Sequence, residues 1–194
     1  MNPPRRFSLE LPAWVDELCV DPERSYAPEE RMALAVELSA RNVRAGSGGP
    51  FGAAVFEQQS GRLIAPGVNL VVSSNCTLAH AEVVALMLAQ QALGTWDLGS
   101  REHDYELVAS TEPCVQCFGA VHWAGLAGLV CGARDEDARA IGFDEGPKRD
   151  DWPACLEASG VTVTRDVQRE AARAVLLAYQ ADGGPIYNAG HDDD

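Results

Sequence analysis

The sequence predicts an α/β protein in which helices layer against a sheet. Three observations carry that expectation. In the second half, short apolar runs alternate with helical patterns, which implies a sheet with helical crossovers. In the first half, two apolar runs flank a turn and read as a hairpin. Apolar residues make up 46% of the 194 positions, enough for one domain with a substantial core.

Taken in order, residues 1–25 carry Pro3, Pro4, Pro12 and Pro22 and read as an irregular extension wrapping the surface. A helix is expected from Pro28, a good first-turn residue, with Glu29 and Glu30 at its positive end. Met32, Val36, Ala40 and Val43 recur at helical spacing, and GSGGP (46–50) stops the run. PFGAAVFE (50–57) and LIAPGVNLVV (63–72) form the hairpin, with Pro66 and Gly67 marking a bulge or a sheet edge. AHAEVVALMLAQQAL (79–93) reads as helix, YELVAS (105–110) as strand, and Pro113 to Trp123 as a helix that opens at two cysteines. GLVCGA (128–133) is a strand, followed by a loop containing IGFDEGPKRDDW. VTVTR (161–165) reads as a last short strand and 166–180 as a last helix. The tail, 183–194, is glycine-rich and then acidic. The glycines of GSGGPFG lack the preceding strand of a dinucleotide fingerprint and read as a turn.

Composition removes several classes of function. No apolar run approaches the roughly 20 residues of a membrane helix, and the first residues lack the apolar core of a secretory signal. With 29 acidic against 15 basic residues, the formal charge is −14. Such a surface repels phosphate backbones, so a nucleic-acid partner is not expected. Six cysteines without a signal segment point to reduced thiols in the cytoplasm. Cys19, Cys76, Cys131 and Cys155 are scattered and read as packing residues.

Cys114 and Cys117 differ, because PCVQC sits where a strand gives way to a helix. A redox pair, a structural zinc site and a catalytic zinc site all fit such a pair. A structural site wants four protein ligands, and the chain has no second C-x-x-C. A catalytic site wants three ligands and leaves one position for water. Of the four histidines, His103 and His191 lie in a polar loop and the tail, and His122 could pack at a helix end. His80 opens a helix and is followed two residues later by Glu82. If the two helix starts face each other, His80, Cys114 and Cys117 converge on one zinc, and Glu82 can move the proton of a bound water. The redox reading explains neither His80 nor Glu82.

HAE (80–82) with PCVQC (113–117) matches the H-x-E…P-C-x-x-C signature of zinc-dependent nucleobase deaminases. The chain is therefore identified as resembling the cytidine deaminase-like superfamily. GPFGAAVFE, GVNLVV, EPCVQCFGAVHWAG, IGFDEGP and the C-terminal PIYNA (185–189) further resemble bacterial guanine deaminases, closest to the branch that also acts on ammeline. The resemblance spans most of the chain after residue 25.

That resemblance implies a three-layer α/β/α fold with a mixed five-stranded sheet, one deaminase domain over 1–194, and one Zn2+ per chain. It implies hydrolysis of guanine to xanthine and ammonia by zinc-bound hydroxide, with Glu82 as proton shuttle. Ammeline, guanosine or cytosine are alternative substrates, and a non-catalytic zinc or redox module is a further alternative. Carried over by position, His80, Cys114 and Cys117 hold the metal. Phe51 and Trp123 would wall the base pocket, Asn69 would hydrogen-bond the purine, and the backbone at Ala81 would face a polar edge of the base. Glu145 would be a second catalytic carboxylate, which the proton traffic of guanine calls for, although neighbouring Asp144 is an equal candidate for substrate contact. The implied form is a homodimer in which the 183–194 segment, through Tyr187, closes the partner's site.

Overall fold

The computed structural model describes residues 5–99, 102–188 and 190. The extension is less irregular than expected. It contains a one-turn helix, α1 (Val15–Leu18), and Ser25 bridges to Arg62. Leu9, Leu11, Trp14 and Leu18 pack against a buried cluster, so apolar spacing too short to show a period still anchors the segment.

Helix α2 (Pro28–Arg44) starts as the sequence requires, with Pro28 in its first turn and the Glu30 carboxylate accepting the Ala27 N–H at 2.9 Å. Strands β1 (Gly52–Glu57) and β2 (Leu63–Val68) form an antiparallel hairpin. Its register shift lies at Val55/Phe56 rather than at Pro66–Gly67, and β2 is an edge strand, where a proline costs no ladder bond. The β2 run stops four residues short of expectation. Val71 and Val72 fall in a short helix, α3 (Val71–Ser74), which ends on Asn75 in the left-handed region.

Helix α4 (Ala81–Leu93) leads to the central strand β3 (Tyr105–Thr111), and helix α5 (Val115–Ala124) to β4 (Gly128–Ala133). The segment expected as loop holds two short helices, α6 (Asp135–Ala140) and α7 (Trp152–Glu157). Strand β5 (Thr162–Thr164) and helix α8 (Arg169–Ala181) complete the order.

The five strands run β2-β1-β3-β4-β5. β1 pairs antiparallel with β2 and β3, and β3–β4–β5 are parallel. Every residue of β1 and β3 is buried, because helices cover both faces. Ala53, Val55, Leu107 and Ala109 face α4, α5 and α7. Ala54, Phe56 and Val108 face α2. Ala172, Leu176 and Tyr179 of α8 cover the β4 side with Ala133. This is the expected α/β/α layering. It sets the starts of α4 and α5 side by side at one end of the sheet. Gly67 lets α4 approach, since a Cβ there would overlap the Ala81 carbonyl oxygen and the Ala85 amide nitrogen.

Candidate metal centre and cleft

His80 and Cys114 are the residues immediately before α4 and α5, both with extended backbone (ψ 152° and 175°). That conformation lets a side chain fold back over the first turn of its own helix. Cys117 lies three residues beyond Cys114, on the same side of α5. The two helix starts therefore meet. His80 Nδ1 lies 3.5 Å from the sulfur of Cys114 and 3.5 Å from that of Cys117. A tetrahedral zinc bonded at about 2.3 Å to sulfur and 2.1 Å to nitrogen sets those edges at roughly 3.5 Å, so both nitrogen–sulfur edges match the ion. It is the one group of three or more such donors among the described residues.

The turn bearing Cys114 is pinned from behind. Lys148 Nζ donates to the Pro113 carbonyl at 2.6 Å and pairs with Asp135 at 2.9 Å. The buried Glu112 carboxylate accepts from the Asp135 N–H at 3.0 Å and the Arg165 guanidinium at 2.5 Å. The Val115 N–H donates to the Glu145 carbonyl at 3.0 Å, which carries the FDEGP loop to the same helix start.

Electrostatics separate the two thiols. A hydrogen bond from Cys117, aided by His80, pushes Cys114 down to about 4 against the opposing effect of burial. The same bond and burial push Cys117 up. On His80 burial disfavours charge, but Cys114 and Glu82 outweigh it and raise the imidazole. Burial, then the Cys114 thiolate, raises the Glu82 carboxyl.

Beside the donors opens a cleft of about 270 Å³, near the lower end of the ~300–1,000 Å³ of small-molecule sites. The structure brings Phe51, Asn69, Glu82, Glu145 and Tyr187 to this cleft beside His80 and Cys114. Phe51 and Tyr187 each meet Phe143 edge-on at 5.0 Å, an aromatic wall. Asn69 Oδ1 accepts the Val71 N–H at 3.3 Å, which leaves its amide nitrogen for the cleft. Of the acidic neighbours, Glu145 is 5% exposed, and burial followed by Cys114 lifts it to about 8. Asp144 reaches the cleft rim but is exposed, its carboxylate accepting the Gly146 N–H.

Trp123 does not join them. It is 80% exposed, stacked edge-on against the exposed His122. It lies nine positions beyond Cys114, about 13 Å along the axis, and is not among the residues that line the cleft within its own chain. The Ala81 side chain is buried in the core, so any part this residue plays at the cleft falls to its backbone. His103 instead pairs with Glu57 at 2.6 Å. Cys19, Cys76, Cys131 and Cys155 are free thiols away from the metal donors. His191 lies outside the described residues.

The tail lies on its own chain rather than extending away from it. Gly183 has φ 71°, and the chain turns back so that Ile186 and Tyr187 pack on the Phe143 cluster. The Asn188 amide accepts the Asp144 N–H and donates to the Gly142 carbonyl, both at 2.9 Å. Sequence reasoning gave no role to Asn188 or Phe143, both of which line the cleft. An amide beside Tyr187 in an otherwise apolar stretch was the available signal.

A family model of the cytidine and deoxycytidylate deaminase zinc-binding region matches residues 26–133. Guanine deaminase of Bacillus subtilis (strain 168) is 42% identical over 117 residues, 60% of this chain and 71% of its own length. A solved structure of guanine deaminase from Nitrosomonas europaea matches with a TM-score of 0.87 and 48% identity, over 93% of this chain and 100% of that one. Another solved structure, a complex with 2,6-diaminopurine, matches with a TM-score of 0.86 and 51% identity, over 94% and 96% of the two chains.

Proposed function

The chain belongs to the cytidine and deoxycytidylate deaminase zinc-binding family, and from that premise we propose that it hydrolyses guanine to xanthine and ammonia. The observation that carries the reading is Glu82, a buried carboxylate facing a small cleft beside a three-donor metal centre. A structural metal site has no use for such a group. The guanine deaminase relatives and the purine complex among them support a purine base as substrate. We treat residues 1–194 as one catalytic unit acting in the cytoplasm, consistent with six free thiols. No helix among the described residues is long and apolar enough to cross a membrane.

His80, Cys114 and Cys117 would hold the zinc. When bound, it supplies a Lewis acid that lets water lose its proton near neutral pH. Glu82 accepts that proton and hands it to the ring nitrogen next to the amino-bearing carbon. Burial favours its protonated form, which suits a carboxyl that holds the proton between the two transfers. Glu145 serves the second proton need of guanine, whose reacting carbon lies between two ring nitrogens. Phe51 stacks on the base with Phe143 edge-on behind it, and the Asn69 amide donates to a ring acceptor.

Ammonia release across guanine, guanosine, cytosine, adenine and ammeline, with zinc measured on the same sample, tests the reading. Guanine is expected to be turned over fastest. A faster rate on ammeline or guanosine would reassign the substrate, and no release from any of them would leave a non-catalytic metal protein.

We also propose a homodimer in which the tail is exchanged, so that each Tyr187 closes the partner's cleft. The contacts formed within one chain are then formed between two. The turn at Gly183–Gly184 supports the reading, as do Trp96 and Trp123, two exposed tryptophans suited to a partner surface. Mixing Glu82→Gln chains with chains lacking residues 183–194 should restore part of the activity that each lacks alone. Failure to complement would place the tail on its own chain.

A further inference from the structure

Asn42 lies in the last turn of α2, fully buried, outside the cleft. Its side-chain amide donates to the Gly49 carbonyl at 2.9 Å and to the Asn69 carbonyl at 2.8 Å. Its Oδ1 accepts the Ser47 hydroxyl at 2.7 Å. Ser47 Oγ in turn accepts the indole N–H of Trp14 at 3.2 Å, and the Arg41 guanidinium sits 5.4 Å over that ring. Both amide protons of Asn42 are thus spent on the backbone of two segments, one leading into Phe51 and the other holding Asn69.

Those two segments also meet directly. The Asn69 N–H donates to the Phe51 carbonyl at 3.1 Å. Gly48 has no room for a side chain, because a Cβ there would overlap the Asn69 carbonyl oxygen and crowd the Asn42 amide. The Asn42 amide is therefore the buried clasp between the aromatic wall and the polar donor of the cleft. The Trp14–Ser47 pair locks its orientation, since a hydroxyl donating to Oδ1 forces the amide nitrogen toward the two carbonyls.

We propose that Asn42, Ser47 and Trp14 form a positioning relay that sets the distance between Phe51 and Asn69, and so governs how tightly the base is held. Residues 5–19 thereby acquire a role, since through Trp14 they brace the substrate cleft from outside. The relay rests on the reading of Asn69 and Phe51 as base-binding groups. An amide that only stabilised the fold would change unfolding and leave the Michaelis constant alone. A relay changes KM while the metal centre, which it does not touch, keeps its zinc.

The test uses the zinc-loaded full chain and four variants, Ser47→Ala, Ser47→Thr, Trp14→Phe and Asn42→Ala. Ser47→Ala and Trp14→Phe should raise KM for guanine by roughly 10-fold, the scale of one weakened hydrogen bond to the base, with kcat and zinc content close to wild type. Ser47→Thr, which keeps the hydroxyl, should restore wild-type KM. Hydrogen–deuterium exchange gives a readout independent of substrate. Ser47→Ala and Asn42→Ala should speed exchange in residues 46–51 and 67–72 together, and leave 81–93 unchanged. A lower melting temperature with unchanged KM would overturn the relay, and so would unaltered exchange at 67–72. If wild type fails to turn over guanine, the substrate reading falls, and the exchange arm still decides the relay.

Discussion

At the scale of single residues, the proposed chemistry rests on three donors and one acid. Glu82→Gln should keep one zinc per chain while kcat falls by about 10²- to 10⁴-fold, the usual worth of a positioned proton carrier. Near-normal turnover would remove that role. Cys114→Ala should lose zinc to a chelator that leaves wild type loaded, as metal analysis after dialysis would show. Retention would mean other ligands. Glu145→Gln should slow guanine turnover without changing the far-ultraviolet circular dichroism, and an unaffected rate would make it a bystander. His80, Glu82, Cys114 and Cys117 were legible in sequence because each sits within two or three residues of a partner and at a helix start. Spacing that short converts directly into geometry. The pair Asp144–Glu145 was not legible, since adjacent residues of a loop point apart and only its path decides which is buried. Trp123 was legible only in part: a motif fixes where a residue lies along its helix, and the cleft of its own chain does not include it.

At the scale of elements, the long ones followed from periodicity and the short ones did not. α2, α4 and α8 each have 13 or more residues, enough turns to display a stripe. α3, α6 and α7 have 4 to 6 residues, too few for any period. α3 was also masked by Val71 and Val72, whose β-branched preference for strands is overridden once Leu70 and Ala79 close a backbone hydrogen bond at 2.9 Å. The acids of α6, Asp135 to Asp137, were a usable clue to a helix start. The β2–α4 contact yields a prediction at this scale. Gly67→Ala should wedge helix from sheet and cost on the order of 1–3 kcal/mol, read as a lower urea midpoint. An unchanged midpoint would show that α4 can shift without penalty.

For the molecule as a whole, the layering follows from the alternation of strand and helix, while the sheet order and the tail's path do not, because alternation leaves strand neighbours open and the glycine-rich residues beyond Asp182 carry no pattern. Acid sensitivity belongs at this scale. The Arg169 guanidinium, with the Arg134 N–H, holds the Asp137 carboxyl below the ordinary aspartate value against the opposing effect of burial. A depressed folded value stabilises the protein above the unfolded value of about 3.9, and that stability is lost as pH falls through it toward the folded value. Asp137→Asn should therefore lower stability at pH 7 by about 1–3 kcal/mol and flatten the stability curve below pH 5, measured by denaturation at several pH values. An equally steep acid limb would assign the loss to other carboxylates. One last consequence follows from the pin behind the cysteine turn. Lys148 is the sole lysine of the chain, and its side chain is 4% exposed. Amine-directed acylation of a side chain thus has a single address, and it is shut while the Pro113 carbonyl is held. The rate at which one adduct appears on that peptide becomes a clock for how often the metal pocket breathes.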